Sequence, residues 1–256
     1  MVQVEVSAVV AAAGQLTLAG QWGVARALLE ATQATEPVDV RTVALALAEV
    51  SVDEDFARRT QTGERSLAAL GRALELLPDA TVRWDAALLQ LRSEYSPALF
   101  SGAAERGESL VAQAVVLRDI APDDRRAGTA AFYAGAIADN LLSDSDTAFR
   151  HYTEALKLGE NASDDLVISL ALRHLGDHAH TAGDLQLARA QWERSTELRQ
   201  KIGHLLGTLA QQVLLCVLLK AEGNEAGSRA LATEVHRWAG QAGIPFIEQQ
   251  TAEMMV

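Results

Sequence analysis

Cysteine is nearly absent from this chain of 256 residues, and lysine is almost as scarce: Cys216 stands alone, and Lys157, Lys201 and Lys220 are the only lysines. A lone cysteine cannot close an internal disulfide. Cys216 lies in the apolar run from 213 to 219, where a thiol packs as a small hydrophobe, and this usage fits a reducing cytosol. Lysine and arginine together number 22 against 34 acidic residues, a formal charge of −12, which leaves no surface rich enough in cations to neutralise phosphates or anionic lipid. Nucleic acid and membrane surfaces are therefore not expected partners. Aromatic residues make up only 5% while apolar residues reach 49%, so a core must be built chiefly from Ala, Leu and Val. No apolar run approaches the roughly 18 to 20 residues of a membrane span. The apolar stretch from 6 to 13 follows Glu5, and no basic residue precedes Arg26, unlike a secretory leader. Also missing are a G-x-S-x-G elbow, a glycine-rich phosphate loop and a base beside the cysteine, so no catalytic residue and no cofactor is expected.

What the chain does contain is repetition. From 172 to 198 it reads LRHLGDHAHTAGDLQLARAQWERSTEL, two amphipathic helices separated at Gly183-Asp184. Leu172, Leu175-Gly176 and Ala179 keep helical spacing on the first, and Ala188, Trp192, Ser195 and Leu198 on the second. This resembles the tetratricopeptide repeat, W-x2-L-G-x2-Y followed by A-x3-F, with Leu172, Ala179 and Trp192 in the positions of its Trp, Tyr and Phe and with its closing proline absent.

Earlier units carry the same pattern. Residues 6–37 give an apolar helix, a break at Gly20, a second helix with Trp22, Ala25 and Leu29, and Pro37 as the residue that closes the unit. A short helix over 38–50 follows, then a longer one capped by Ser51 or Asp53, with Glu54/Arg58 and Asp55/Arg59 as i,i+4 pairs, running to the ALELLP stretch at 73–78. Residues 81–95 and 103–120 form the least regular unit, joined by a long connection around Ser96, Pro97, Ser101 and Gly102.

After Asp123 the spacing becomes strict. Ala148, Ala188 and Ser228 are 40 apart, as are Tyr152, Trp192 and Ala232, then Ala155, Ser195 and Val235, then Leu158, Leu198 and Trp238. Gly183-Asp184 and Gly223-Asn224 share that interval, a glycine to end one helix and a short polar residue to cap the next. Asp123-Asp124, Asp144 to Asp146 and Ser163-Asp164 mark further starts. A period of 40 exceeds the roughly 34 of the common repeat, and in this it resembles the longer-repeat sensor arms of bacterial regulatory proteins. The expectation is an all-α, right-handed superhelical solenoid of antiparallel helix pairs in one domain over 1–256. Its repeats fall at 6–37, 38–80, 81–122, 123–166, 167–206 and 207–242, with a cap at 243–256 over the apolar helix from 209 to 219. Left uncovered, that apolar C-terminal end would serve a homodimer instead.

In such a solenoid the first helices of successive pairs line the concave face. Arg173, Asp177 and His180 share one face of their helix, and steps of 40 place Tyr133 beside Arg173, and Asn140 and Lys220 beside His180. These six residues are the candidate groove lining for a protein or peptide segment, with Arg173 offering a planar fork and Lys220 a point charge. His174 and His178 are i,i+4, but Leu, Gly and Asp lie between them and no further ligand converges, so a metal is not expected and neutral surface histidines are. The four tryptophans, Trp22, Trp84, Trp192 and Trp238, read as core. The expected activity is non-catalytic binding by a cytoplasmic scaffold or adaptor; the alternative is a ligand- or peptide-sensing module acting on a separate transcriptional regulator.

Overall fold

The computed structural model describes residues 5–255; residues 1–4 and 256, the extreme ends of the expected domain and cap, lie outside the described residues. The chain is an all-α solenoid. In order, its helices are α1 (Val6–Leu18), α2 (Trp22–Glu30), α3 (Pro37–Arg58), α4 (Gly63–Leu76), α5 (Ala80–Ser101), α6 (Gly107–Asp119) and α7 (Asp124–Leu142). Then come α8 (Ser145–Ala162), α9 (Asp165–Thr181), α10 (Leu185–Lys201), α11 (Leu205–Ala221), α12 (Glu225–Ala242) and α13 (Pro245–Ala252). Each odd helix packs on the even helix that follows, and α1, α3, α5, α7 and α9 also touch in succession, forming an inner wall.

Three expectations in the first half need correction. Pro37 opens α3 rather than closing the preceding unit; at the first helical position its missing N–H costs nothing. The break expected at 51–53 lies further on. Ser51 donates to the Leu47 carbonyl and continues the helix, which ends where Arg59 adopts a left-handed conformation, φ 57°. Asp55 then accepts from the backbone N–H groups of Thr62 and Gly63, both at 2.7 Å, and so caps α4 from the last turn of α3. The Glu54/Arg58 pair forms at 3.1 Å, and Glu54, buried, is also held by Arg26 at 2.9 Å. Finally, the connection expected at 96–102 is helix: α5 runs through Pro97 to Ser101, and Pro97 leaves the Ser93 carbonyl without its helical donor. The turn follows instead, at Gly102 and a short 3-10 segment, Ala104–Arg106.

From Ser143 onward the chain turns every 20 residues, half the interval visible in the sequence pattern. Ser143, Ser163, Gly183, Gly203, Gly223 and Gly243 all have φ between 52° and 82°. In five cases the next residue's side chain accepts the N–H three positions on: Asp144, Asp164, Asp184, His204 and Asn224, at 2.9 to 3.1 Å. The same residue's own N–H usually returns to a carbonyl five positions back, as from Asp184 to Ala179 and from His204 to Arg199, both 2.9 Å. Each cap contributes about 1 kcal/mol. Five in a row fix the helix lengths and, through them, the stacking.

The packing columns follow. Ala148, Ala188, Tyr152, Trp192, Ala155 and Ser195 are all buried. Trp192 lies so close to α9 that a Cβ on Gly176 would sit 2.4 Å from its indole, and its Nε1 donates to the Arg173 carbonyl at 2.9 Å. Cys216 is fully buried, which pushes its thiol up to about 11. Trp238 departs from the expected core: it is 47% exposed, with the Arg237 guanidinium 5.2 Å above its ring.

The two ends of the array meet. Ala13, Trp22, Ala25, Leu29 and Val43 from α1 to α3 share one apolar cluster with Leu209, Val213, Val235, Ile244 and Ile247 from α11 to α13. A Cβ on Gly20 would lie 3.4 Å from Leu205, and the Phe56 ring meets Phe246 edge-on at 6.4 Å. The solenoid therefore closes into a ring. The apolar tail is taken up by this seam: Ile244 and Ile247 are wholly buried within the chain.

Candidate functional site

Side chains in register on the inner wall form a polar circuit. Asp53 of α3 pairs with Arg92 of α5. The Arg92 guanidinium lies 5.8 Å from the Tyr133 ring centroid on α7, and Tyr133 meets Tyr95 edge-on at 6.2 Å. On α9, Arg173 contacts Asp177 at 3.3 Å and the His174 ring nitrogen at 3.1 Å. His204, at the start of α11, lies beside Arg199 of α10: a Cβ on Gly207 would be 2.2 Å from the His204 Nδ1 and 2.0 Å from the Arg199 Nη1.

Partial loss of hydration shifts the titration of these groups. Glu49, one turn before Asp53, has solvent-accessible surface, yet the walls around it deny its carboxylate full hydration; this and the Asp53 charge raise it to about 7. Burial also raises the Asp177 carboxyl against the pull of Arg173, and it raises the Tyr95 and Tyr133 phenols. His174 is pushed well below the usual histidine range, first by burial and then by Arg173. His204 falls to about 4 for the same first reason, with Arg199 adding to it. A neutral His204 is what its cap requires, since Nδ1 must accept the Gly207 N–H at 3.1 Å.

The structure treats the six residues expected from sequence unequally. Tyr133, Arg173 and Asp177 join the circuit just described. Asn140 is engaged at home, donating to the Tyr95 hydroxyl at 3.0 Å and to the Ala136 carbonyl at 2.8 Å. His180 lies on the Trp192 ring, centroids 5.4 Å apart. Lys220 is exposed in the last turn of α11. The histidine pair is not at the surface: His174 stacks on Tyr152 at 4.6 Å, and His178 meets the same ring edge-on at 5.9 Å. Among the described residues, no three His, Cys, Asp or Glu side chains gather as ligands would.

Glu49, Asp53, Arg92, Tyr95, Arg199 and His204 were not expected. Asp53, Arg92, Tyr133 and Arg173 stand 39, 41 and 40 apart, so spacing could have extended the ladder backward had α3 been read as one helix. Arg199 carries no such signal; ELRQK reads as an exposed charged end.

A second concavity lies apart from the circuit. It is a cleft of about 580 Å³ among Val52, Arg59, Ser93, Pro97 and Phe100, where Arg59 covers the Phe100 ring at 4.6 Å. Its one acidic residue from α3, Asp55, is occupied in capping α4.

No protein-family model and no curated protein matches the sequence. Among solved structures, the fold is similar to that of a Rap protein crystallised in complex with Competence and Sporulation Factor, with a TM-score of 0.54 and 12% identity over 96% of this chain and 79% of that one. It is also similar to BtubC (BKLC) from P. vanneervenii, with a TM-score of 0.50 and 17% identity over 93% of this chain and 92% of that one. These likenesses show an all-α helical-repeat fold. No helix among the described residues is long and apolar enough to cross a membrane.

Proposed function

We propose that this chain is a non-catalytic binding module whose interior face receives a peptide or protein segment, as a cytoplasmic scaffold or adaptor does. The observation that carries the reading is the inner circuit of Asp53, Arg92, Tyr133, Arg173 and Asp177. Forks, carboxylates and aromatic faces recur there at successive repeats, as an extended backbone with alternating side chains requires. The proposed contact set is Tyr133, Arg173 and Asp177 at the centre, with Asn140, His180 and Lys220 toward the other edge. The Rap neighbour, solved with a factor bound, supports the reading at the level of the shared fold. Ring closure favours the alternative within the same class: an enclosed interior suits a short ligand better than a long segment, as in a sensing module that acts on a separate regulator.

The test is quantitative capture from native cytosol with Tyr133→Ala/Arg173→Glu, compared with wild type and with Arg150→Glu/Arg229→Glu on the exposed outer face, after circular dichroism shows equal helicity. Partners lost only from the interior variant are the expected result. Retention of every partner by that variant sinks the reading.

A further inference from the structure

Nearly every buried or half-buried cation in this molecule has an acid beside it. Arg41 meets Asp79 at 3.2 Å, Arg118 meets Glu154 at 3.0 Å and Arg126 meets Asp85 at 2.7 Å. Among the described residues, two charged side chains are buried, Glu54 and Arg199. Glu54 has Arg26 and Arg58. Arg199, only 4% exposed, has nothing: its Nε lacks any acceptor, and among the described residues its guanidinium makes no ion pair and no side-chain hydrogen bond. A buried guanidinium nitrogen without an acceptor and a charge without a counter-ion are costly, so their persistence requires a reason.

Its surroundings make the vacancy of charge worse. Arg199 lies over the first turn of α11, so close that a Cβ on Gly207 would be 2.0 Å from its Nη1; glycine is what admits it there. That turn is the positive end of a 17-residue helix. The charge acting on it most directly is the Arg173 guanidinium, and His174 and His204 beside it are held neutral. Burial and Arg173 together pull Arg199 down to about 9. One turn earlier on α10, Ser195 accepts from the buried Gln211 of α11 and donates to the Ser169 carbonyl at 2.6 Å, so the same helix contact is polar along its length. The side chains directly beside the guanidinium are neutral or positive, and the carboxylate on the neighbouring helix, Asp177, is taken by Arg173 at 3.3 Å.

We infer that Arg199, reaching from α10 over the first turn of α11, forms with Arg173 of α9 an anion subsite that receives a carboxylate. A single negative charge on a planar group matches the guanidinium fork. A doubly charged phosphate would instead add repulsion from Asp177, Asp53 and Glu49 on the same interior. The inference rests on the reading of the interior as the binding face, and it specifies which chemical group that face takes.

The test begins with thermal denaturation of wild type and Arg199→Met in acetate, propionate, phosphate and chloride at matched ionic strength. The expected result has two parts. Acetate and propionate raise the wild-type Tm saturably where chloride and phosphate do not, and R199M melts higher than wild type in chloride while ignoring the carboxylates. A structural arginine would give the reverse, a lower Tm for R199M. Equal responses to all four anions, or the same carboxylate response in R199M, overturn the subsite. Should R199M fail to fold, Arg173→Gln, at a half-exposed position, carries the same comparison.

A second arm separates a peptide carboxylate from a free acid. An N-acetylated pentapeptide library with free C-termini and its C-terminally amidated twin are each enriched on wild type and R199M. Selection of free-acid peptides by wild type, with about a 10- to 100-fold loss in R199M or on amidation, assigns the carboxylate to a peptide end. Peptides that bind both proteins and both libraries equally, without an acetate response, leave the interior reading standing and remove the subsite. An Arg199-dependent carboxylate shift without any bound peptide keeps the subsite and removes the peptide reading.

Discussion

At the scale of single residues, two glycines of identical composition have opposite meanings. Gly176 faces Trp192 with no room for a methyl group, whereas Gly71 in α4 has nothing within 4 Å of the place its Cβ would occupy. Gly71→Ala should stabilise by roughly 0.5–1 kcal/mol through helix propensity. Gly176→Ala gains the same propensity but overpacks the α9–α10 contact and should lose about 1–3 kcal/mol; urea denaturation of the pair reads both signs in one experiment. The interior titrations have opposite signs as well. Glu49, raised to about 7, contributes stability that is complete below its unfolded value of 4.5 and lost as pH rises through 7. Glu49→Gln should therefore melt higher than wild type at pH 8 and show no such gain at pH 4. His204, lowered to about 4, contributes stability that is present above its unfolded value of 6.5 and lost as pH falls through 4. His204→Asn keeps a capping acceptor without a titrating ring, so its Tm should fall less than that of wild type between pH 6.5 and 4.

At the scale of elements, the caps decide how much the sequence could disclose. Asp and Asn before a helix, and glycine after one, are legible because their chemistry is local. Ser143 and Ser163 in left-handed conformations, and histidine as a cap at 204, use residue types that rarely signal those roles, which is why 40 was readable and 20 was not. The early helices were misdivided for a related reason: Pro37 and Pro97 look alike as punctuation, yet one begins a helix and the other lies within one. Pro97→Ala should restore a donor to the Ser93 carbonyl. The gain of roughly 3 kcal/mol expected for a helix interior, less about 1 kcal/mol for the freer unfolded chain, leaves about 2 kcal/mol of added stability, visible as a shifted urea midpoint. The candidate site was half legible on the same principle. Tyr133, Arg173 and Asp177 follow from register, whereas Arg199 depends on how α10 rests against Gly207, a contact no spacing rule contains.

At the scale of the whole molecule, the seam between the first and last helices sets this ring apart from an open solenoid. In an open array each repeat contacts only its neighbours, so contacts are short in sequence and structure can spread from any point. Here Gly20 meets Leu205 and Phe56 meets Phe246, partners separated by most of the chain. Long-range contacts form late, because the intervening loop must first be closed. Ile247→Ala, which removes a wholly buried side chain from the seam, should cost about 2–5 kcal/mol. In stopped-flow experiments that loss should fall on the unfolding rate and leave the folding rate nearly unchanged. The seam thus acts as a latch that is set last in folding and determines how long the native ring survives.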